Sequence, residues 1–252
     1  MTELSYLPSM DAAYTRRFRA RVVARPPGAV VLDRTFFYPA GGGQPSDLGT
    51  LLVPGAGTAI EVVDVVRQGS GVAHRIRGPA SGLAALGVGT EVEGAIDWAR
   101  RFRHMRLHTS QHYLSARIFE RYGIRTRRAS LRGIAANIDL ERTLPEGALN
   151  ELREDADRMA REAREVRIRE VPRAVWDQHP TARSALVPLA PDVDPVRLIE
   201  IDGVDLCPCG GTHVRSTAEV GAVELRPVGG RAAGSARVSY VLANGGASIR
   251  RE

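Results

Sequence analysis

The chain has 252 residues, a hydrophobic fraction of 43% and a formal net charge of +6. That length accommodates one large domain or two smaller ones, and no apolar run of about 18 residues occurs that could span a bilayer. All 35 basic residues are arginine, so there is no lysine for Schiff-base (pyridoxal) chemistry or for a P-loop, and the positive balance favours an acidic partner, nucleic acid first.

The N-terminus, Met1-Thr2-Glu3-Leu4-Ser5, lacks the basic and then apolar run of a secretory signal. Residues 1–95 read as β-rich. Positions 16–25 alternate arginine with Phe18, Ala20, Val22 and Ala24, a period-two pattern. Segments 29–37, 59–67, 72–77 and 91–98 are further strands. Gly and Pro clusters such as Pro26-Pro27-Gly28 separate them. Short strands at this spacing predict a small barrel or sandwich. Between them lies Gly41-Gly42-Gly43-Gln44. It reads either as a tight connecting loop or as an anion-binding nest of backbone amides. Gln44 is the one side chain there able both to donate and to accept.

A long helix is predicted over 98–122, stopped by Gly123. Met105, Leu107, Leu114, Ile118 and Phe119 supply its apolar side. Arginines precede and follow its middle (Arg100, Arg101, Arg103, Arg106; then Arg125, Arg127, Arg128, Arg132) and read either as a solvated surface or as phosphate contacts. A hairpin broken at Gly133 covers 129–141. A second helix over 145–165 opens with a capping box, Thr143 with Glu146, and carries a core stripe of Leu149, Leu152, Ala156, Met159 and Ala163. Strands at 166–171, 196–201, 220–226 and 236–243 complete an α+β class.

Two stretches carry chemistry. In His108-Thr109-Ser110-Gln111-His112 the two histidines lie one helical turn apart, on one face. In Cys209-Gly210-Gly211-Thr212-His213 a cysteine and a histidine repeat that spacing. Three imidazoles and a thiolate suit one Zn²⁺ better than Mg²⁺ or Ca²⁺. Cys207 is the rival thiolate, and His104, one turn before His108, reads as a partly exposed helix residue. Position 109 is Thr rather than Glu, which excludes the zinc proteases built on His-Glu-x-x-His. The two cysteines are too close for an unstrained disulfide, so a reducing cytoplasm is expected.

Taken together, Thr35-Phe36-Phe37-Tyr38-Pro39-Ala40-Gly41-Gly42-Gly43-Gln44-Pro45-Ser46-Asp47, Ile96-Asp97-Trp98, Met105-Arg106-Leu107-His108-Thr109-Ser110-Gln111-His112 and Cys207-Pro208-Cys209-Gly210-Gly211-Thr212-His213-Val214 resemble, in order, the stand-alone alanyl-tRNA editing proteins, relatives of the editing domain of alanyl-tRNA synthetase. The resemblance implies a barrel-like domain over 1–95 that carries the Gly-rich loop, then a zinc-containing α+β editing domain over 96–252. It implies a zinc-dependent deacylase acting on tRNA(Ala) that bears serine, with glycine as a second candidate. It maps zinc to His108, His112, Cys209 and His213, and the substrate loop to Gly41, Gly42, Gly43 and Gln44.

Zinc can polarise an ester carbonyl or lower the pKa of water. Four protein ligands would close a tetrahedral site, so the ion either expands its coordination, sheds His213, or only anchors the substrate. Serine is larger than alanine, so a site that clears it must recognise the hydroxyl, and Thr109 is the candidate for that contact. Two other readings remain: an editor of another tRNA such as tRNA(Thr), and a non-catalytic RNA-binding module with structural zinc.

Overall fold

The structure is a computed structural model describing residues 1–55, 57–179, 189–229 and 235–243. It is a mixed α+β chain whose contacts fall into two compact units: Met1–Met105 with Gly210–Thr212, and Arg106–Cys209 with His213–Glu252.

The first unit holds β1 (Glu3–Leu4), α1 (Met10–Ala13), β2 (Arg17–Ala24), β3 (Ala29–Leu32), β4 (Arg34–Thr35), β5 (Gly49–Leu52), β6 (Ala59–Gln68), β7 (Gly71–Arg77), α2 (Ala80–Ala85) and β8 (Glu91–Ile96). Six strands pair in the order β2-β3-β7-β6-β5-β8, and β8 pairs back onto β2, so the ladder closes into a barrel. Alternation along β2 places Phe18, Ala20 and Val22 inside and arginines outside. Val30, Leu51, Ile60 and Val92 meet them in the core. The pattern at 29–37 breaks into two strands, β3 and β4, rather than one. β5 has no sequence signature: it is four residues long and opens on Gly49, where a Cβ would stand 2.1 Å from Ala95 O.

Helix α3 runs Trp98–Tyr122, as the periodicity predicts. Asp97 caps it: its Oδ1 accepts the Arg100 amide at 3.1 Å. Gly123 ends it at φ +61°. Met105, Leu107, Leu114 and Ile118 are buried, whereas Phe119 is exposed and is not part of the apolar side.

The second unit adds β9 (Thr126–Ser130), β10 (Ala136–Leu140), α4 (Ala148–Glu162), β11 (Val166–Val171), α5 (Arg173–Asp177), β12 (Val196–Ile201), β13 (Asp205–Pro208), β14 (Val223–Gly229) and β15 (Ala236–Leu242). They form a four-stranded sheet, β14-β15-β10-β9, and a three-stranded sheet, β11-β12-β13. α4 starts later than 145, and the Thr143–Glu146 capping box does not cap it. Gly147, at φ +78°, is the cap instead and breaks the helical path before Ala148. A reciprocal cap forms elsewhere, between Ser216 and Glu219, on the 3-10 turn Thr217–Val220. The α4 stripe of Leu152, Ala156 and Met159 is buried, and Asp155 lies buried beside it, paired with Arg121 of α3 at 2.8 Å.

No helix among the described residues is long and apolar enough to cross a membrane.

Candidate metal centre

Helical spacing in the second unit puts His108 and His112 on one face of α3, their ring centroids 5.2 Å apart. The other two donors arrive on the hairpin β12–β13 and the loop after it. β13 pairs Asp205 with Ile201 and Cys207 with Ile199. Alternation then places Asp205 and Cys207 on one face of the strand. The chain leaves the ladder at Cys209, whose amide donates to Arg197 O at 3.2 Å. The His213 ring stands 4.3 Å from that of His108 and 4.7 Å from that of His112. One donor atom from each of His108, His112, Cys209 and His213 lies within 4.8 Å of all the others.

The spacings fit a shared ion. On a tetrahedral zinc, Zn–S of about 2.3 Å and Zn–N of about 2.0–2.1 Å put sulfur and nitrogen about 3.6 Å apart. Cys209 Sγ lies 3.6 Å from His108 Nε2 and 3.3 Å from His213 Nε2. Protonation agrees. Burial alone would raise the Cys209 thiol, but the charges of His108 and His213 and hydrogen bonds from His108 and His112 outweigh it and bring it well below the usual thiol range. Burial, joined by the charges of Asp205 and Cys209, pushes the Cys207 thiol well up. The thiolate is the ligating form, so electrostatics favours Cys209 over its neighbour. His213 is pushed well down, first by burial and then by the charge of His108.

Two of the remaining ring nitrogens are held. His112 Nδ1 lies 2.8 Å from Asp205 Oδ2. Burial lowers the His112 pKa, but Asp205 and Cys209 carry it up to about 10. His213 Nδ1 lies 3.2 Å from Thr109 Oγ1, which also accepts the Val214 amide at 3.3 Å. Thr109 is fully buried. A second triplet, His112, Asp205 and Cys207, also has mutually close donor atoms.

The Gly-rich loop and Gln44 belong to the first unit. Gly41 and Gln44 exchange backbone hydrogen bonds of 3.1 and 2.8 Å, closing a tight turn. Gly42 and Gly43 occupy its centre at φ +54° and +87°, the conformation a type I′ turn requires. Gln44 is buried and uses both ends of its amide on Thr212, donating to Oγ1 at 2.9 Å and accepting from the Thr212 amide at 3.3 Å.

Several residues read differently in three dimensions. His104 is buried, not partly exposed. Arg101 is neither solvated nor available to phosphate: it is fully buried on Asp47. Its Nε donates to the two carboxylate oxygens at 3.0 and 2.8 Å, and its Nη1 to Ala13 O at 2.7 Å. Arg106 Nε donates to Val220 O at 2.8 Å. Asp47 enters the sequence reading only as the last residue of the first matching stretch, and Asp205 does not enter it at all. For Asp205 the one hint is its period-two spacing to Cys207 and Cys209.

Comparison with known proteins adds a family context. Residues 9–100 match the family described as tRNA synthetases class II (A), and residues 196–239 match the threonyl and alanyl tRNA synthetase second additional domain. The alanyl-tRNA editing protein AlaX-M of Methanosarcina acetivorans is 33% identical over 252 residues, covering 96% of this chain and 99% of its own. Its namesake in Saccharolobus solfataricus is 34% identical over 247 residues, at 96% and 99% coverage. The alanine--tRNA ligase of Pyrococcus abyssi is 34% identical over 216 residues, 84% of this chain but 23% of the ligase.

Proposed function

This chain belongs to the AlaX-M alanyl-tRNA editing proteins, and from that premise we propose that it is a cytoplasmic trans-acting deacylase that clears serine, and glycine as a second substrate, from mischarged tRNA(Ala). The observation that carries the reading is the convergence of three imidazoles and one cysteine sulfur from α3 and the loop after β13. His108, His112, Cys209 and His213 would hold one Zn²⁺. Bound there, zinc supplies Lewis-acid polarisation to an ester carbonyl. In this reading residues 96–252 are the zinc-containing editing domain, and residues 1–95 are the barrel-like domain whose Gly41, Gly42, Gly43 and Gln44 serve the substrate.

Thr109 has a defined chemical state in this scheme. A His213 that ligates through Nε2 keeps its proton on Nδ1 and donates it to Thr109 Oγ1. The Val214 amide donates to the same oxygen. Both lone pairs are then occupied, and the Thr109 hydroxyl can only donate. A seryl hydroxyl can accept that hydrogen; an alanyl methyl cannot. A buried donor left unmatched costs about 1–3 kcal/mol, which favours the serine ester.

An editor of tRNA(Thr) is the second reading, favoured by the shared threonyl and alanyl domain match at residues 196–239. One assay tests both: release of amino acid from Ser-tRNA(Ala), Gly-tRNA(Ala), Ala-tRNA(Ala) and Ser-tRNA(Thr). Rapid loss of serine from tRNA(Ala), with Ala-tRNA(Ala) spared, is expected. Preference for Ser-tRNA(Thr) selects the second reading. No release from any substrate by a zinc-loaded protein leaves a non-catalytic RNA-binding module and refutes the deacylase.

A further inference from the structure

The His112–Asp205 contact has a geometry that the four-donor site does not account for. His112 belongs to two clusters at once: the quartet with His108, Cys209 and His213, and the triplet with Asp205 and Cys207. Distance separates their roles. A nitrogen and a carboxylate oxygen bound to one tetrahedral zinc stand about 3.4 Å apart, given metal–ligand bonds of about 2.0–2.2 Å. His112 Nδ1 and Asp205 Oδ2 are 2.8 Å apart. That is too close for two ligands sharing an ion and is the length of a charge-assisted N–H···O hydrogen bond. The sulfur–nitrogen spacings in the quartet, 3.6 and 3.3 Å, are those of shared ligands.

We infer that Asp205 is a positioning residue of the metal centre: its carboxylate accepts the Nδ1 proton of His112, fixes the ring tautomer and its orientation, and so presents Nε2 to the ion. The strand context makes this specific. Asp205 stands opposite Ile201 in the β12–β13 ladder, and Ile201 is fully buried. The carboxylate is therefore carried on paired backbone rather than on a mobile loop. His112 itself is almost fully buried, so water has little room to replace the acceptor. Partners of this kind, one bond beyond the metal, are worth 10–100-fold in metal affinity. The same placement gives Cys207 no share in the ion. It lies on the face of β13 that bears Asp205 and is not among the four donors that converge.

The inference rests on the quartet being a zinc site, and metal binding by the unaltered protein tests that premise separately. The experiment measures Zn²⁺ affinity by chelator competition for the wild type, Asp205→Ala and Asp205→Asn, with the melting temperature of each metal-free protein. It also records histidine ¹⁵N–¹H spectra of the zinc-loaded forms. Asp205→Ala is expected to bind zinc 10–100-fold more weakly. Asp205→Asn, whose carbonyl oxygen can still accept the Nδ1 proton, is expected to recover most of that loss. A protected His112 Nδ1–H signal is expected in the wild type and in Asp205→Asn, and its loss in Asp205→Ala. Equal zinc affinity in all three folded proteins overturns the inference, as does an Asn variant no better than Ala. A role confined to holding β13 would lower the metal-free melting temperatures and leave affinity and spectrum unchanged, which also overturns it. A wild type that binds no zinc removes the premise and the inference together.

Discussion

Asp47 and Asp205 each grip a side chain of α3, and their surroundings give them different work. Asp47 is fully buried, and its oxygens are taken up by Arg101 and by the Tyr38 amide at 2.7 Å. Arg101 in turn donates to Ala13 O and Phe36 O. Both Asp47 carboxylate oxygens and all three Arg101 nitrogens therefore have partners inside the cluster. Asp205 keeps 19% of its side-chain surface and engages Nδ1 of a ring that also belongs to the cluster with Cys209, His108 and His213. A closed network fixes architecture, whereas an open one fixes the direction of a donor atom. Substitution at the first should therefore change stability, and substitution at the second should change metal affinity.

The largest expected effect comes from breaking the closed pair. Asp47→Ala leaves the Arg101 charge buried without its partner and is expected to destabilise the protein by about 3–5 kcal/mol. A chemical denaturation curve close to wild type would erase the distinction drawn here. The next effect concerns His74, another buried group of the first unit, bonded to Thr35 Oγ1 at 2.8 Å and Val30 O at 3.2 Å. Burial lowers its pKa to about 4, with the backbone bonds of Val30 and Val72 offsetting only part. The unfolded chain takes up this proton near pH 6.5, and the folded chain only near 4. The stability held by the neutral ring is thus complete above 6.5 and lost as pH falls towards 4, roughly 3 kcal/mol in all. His74→Gln should flatten the stability–pH curve in that window; an unchanged slope would assign the acid sensitivity elsewhere.

Smaller effects sharpen the picture within the first unit. Gln44→Ala removes two hydrogen bonds to Thr212 and should cost about 1–3 kcal/mol, read as a shift in melting temperature. Gly43→Ala forces a side chain into a positive-φ position and should cost about 1–2 kcal/mol. If Gly43→Ala is neutral for stability yet impairs deacylation, the turn serves the substrate rather than the fold.

How much of this was legible beforehand depended on how local the signal is. The α+β class and α3 follow from periodicity and the Gly123 stop, which act within a few residues, whereas the Asp97 cap emerges only in the structure. The four donors stand out because His and Cys are scarce and fall at matched spacings. Asp205 shows nothing beyond its spacing to Cys207 and Cys209, because its partner lies 93 residues away and β13 is only four residues long. Arg101 was misread for the opposite reason. It sits in a run of similar arginines, and only the distant Asp47 singles it out. The Thr143–Glu146 box matched a local rule that the backbone at Gly147 overrode.

The most direct test is metal-edge X-ray absorption of the protein reconstituted with one zinc per chain. One sulfur and three imidazole nitrogens around the ion are expected, from Cys209, His108, His112 and His213, with the sulfur contribution lost in Cys209→Ala and retained in Cys207→Ala. Two sulfurs, or a carboxylate oxygen in place of an imidazole, would put Cys207 or Asp205 on the metal and contradict the assignment.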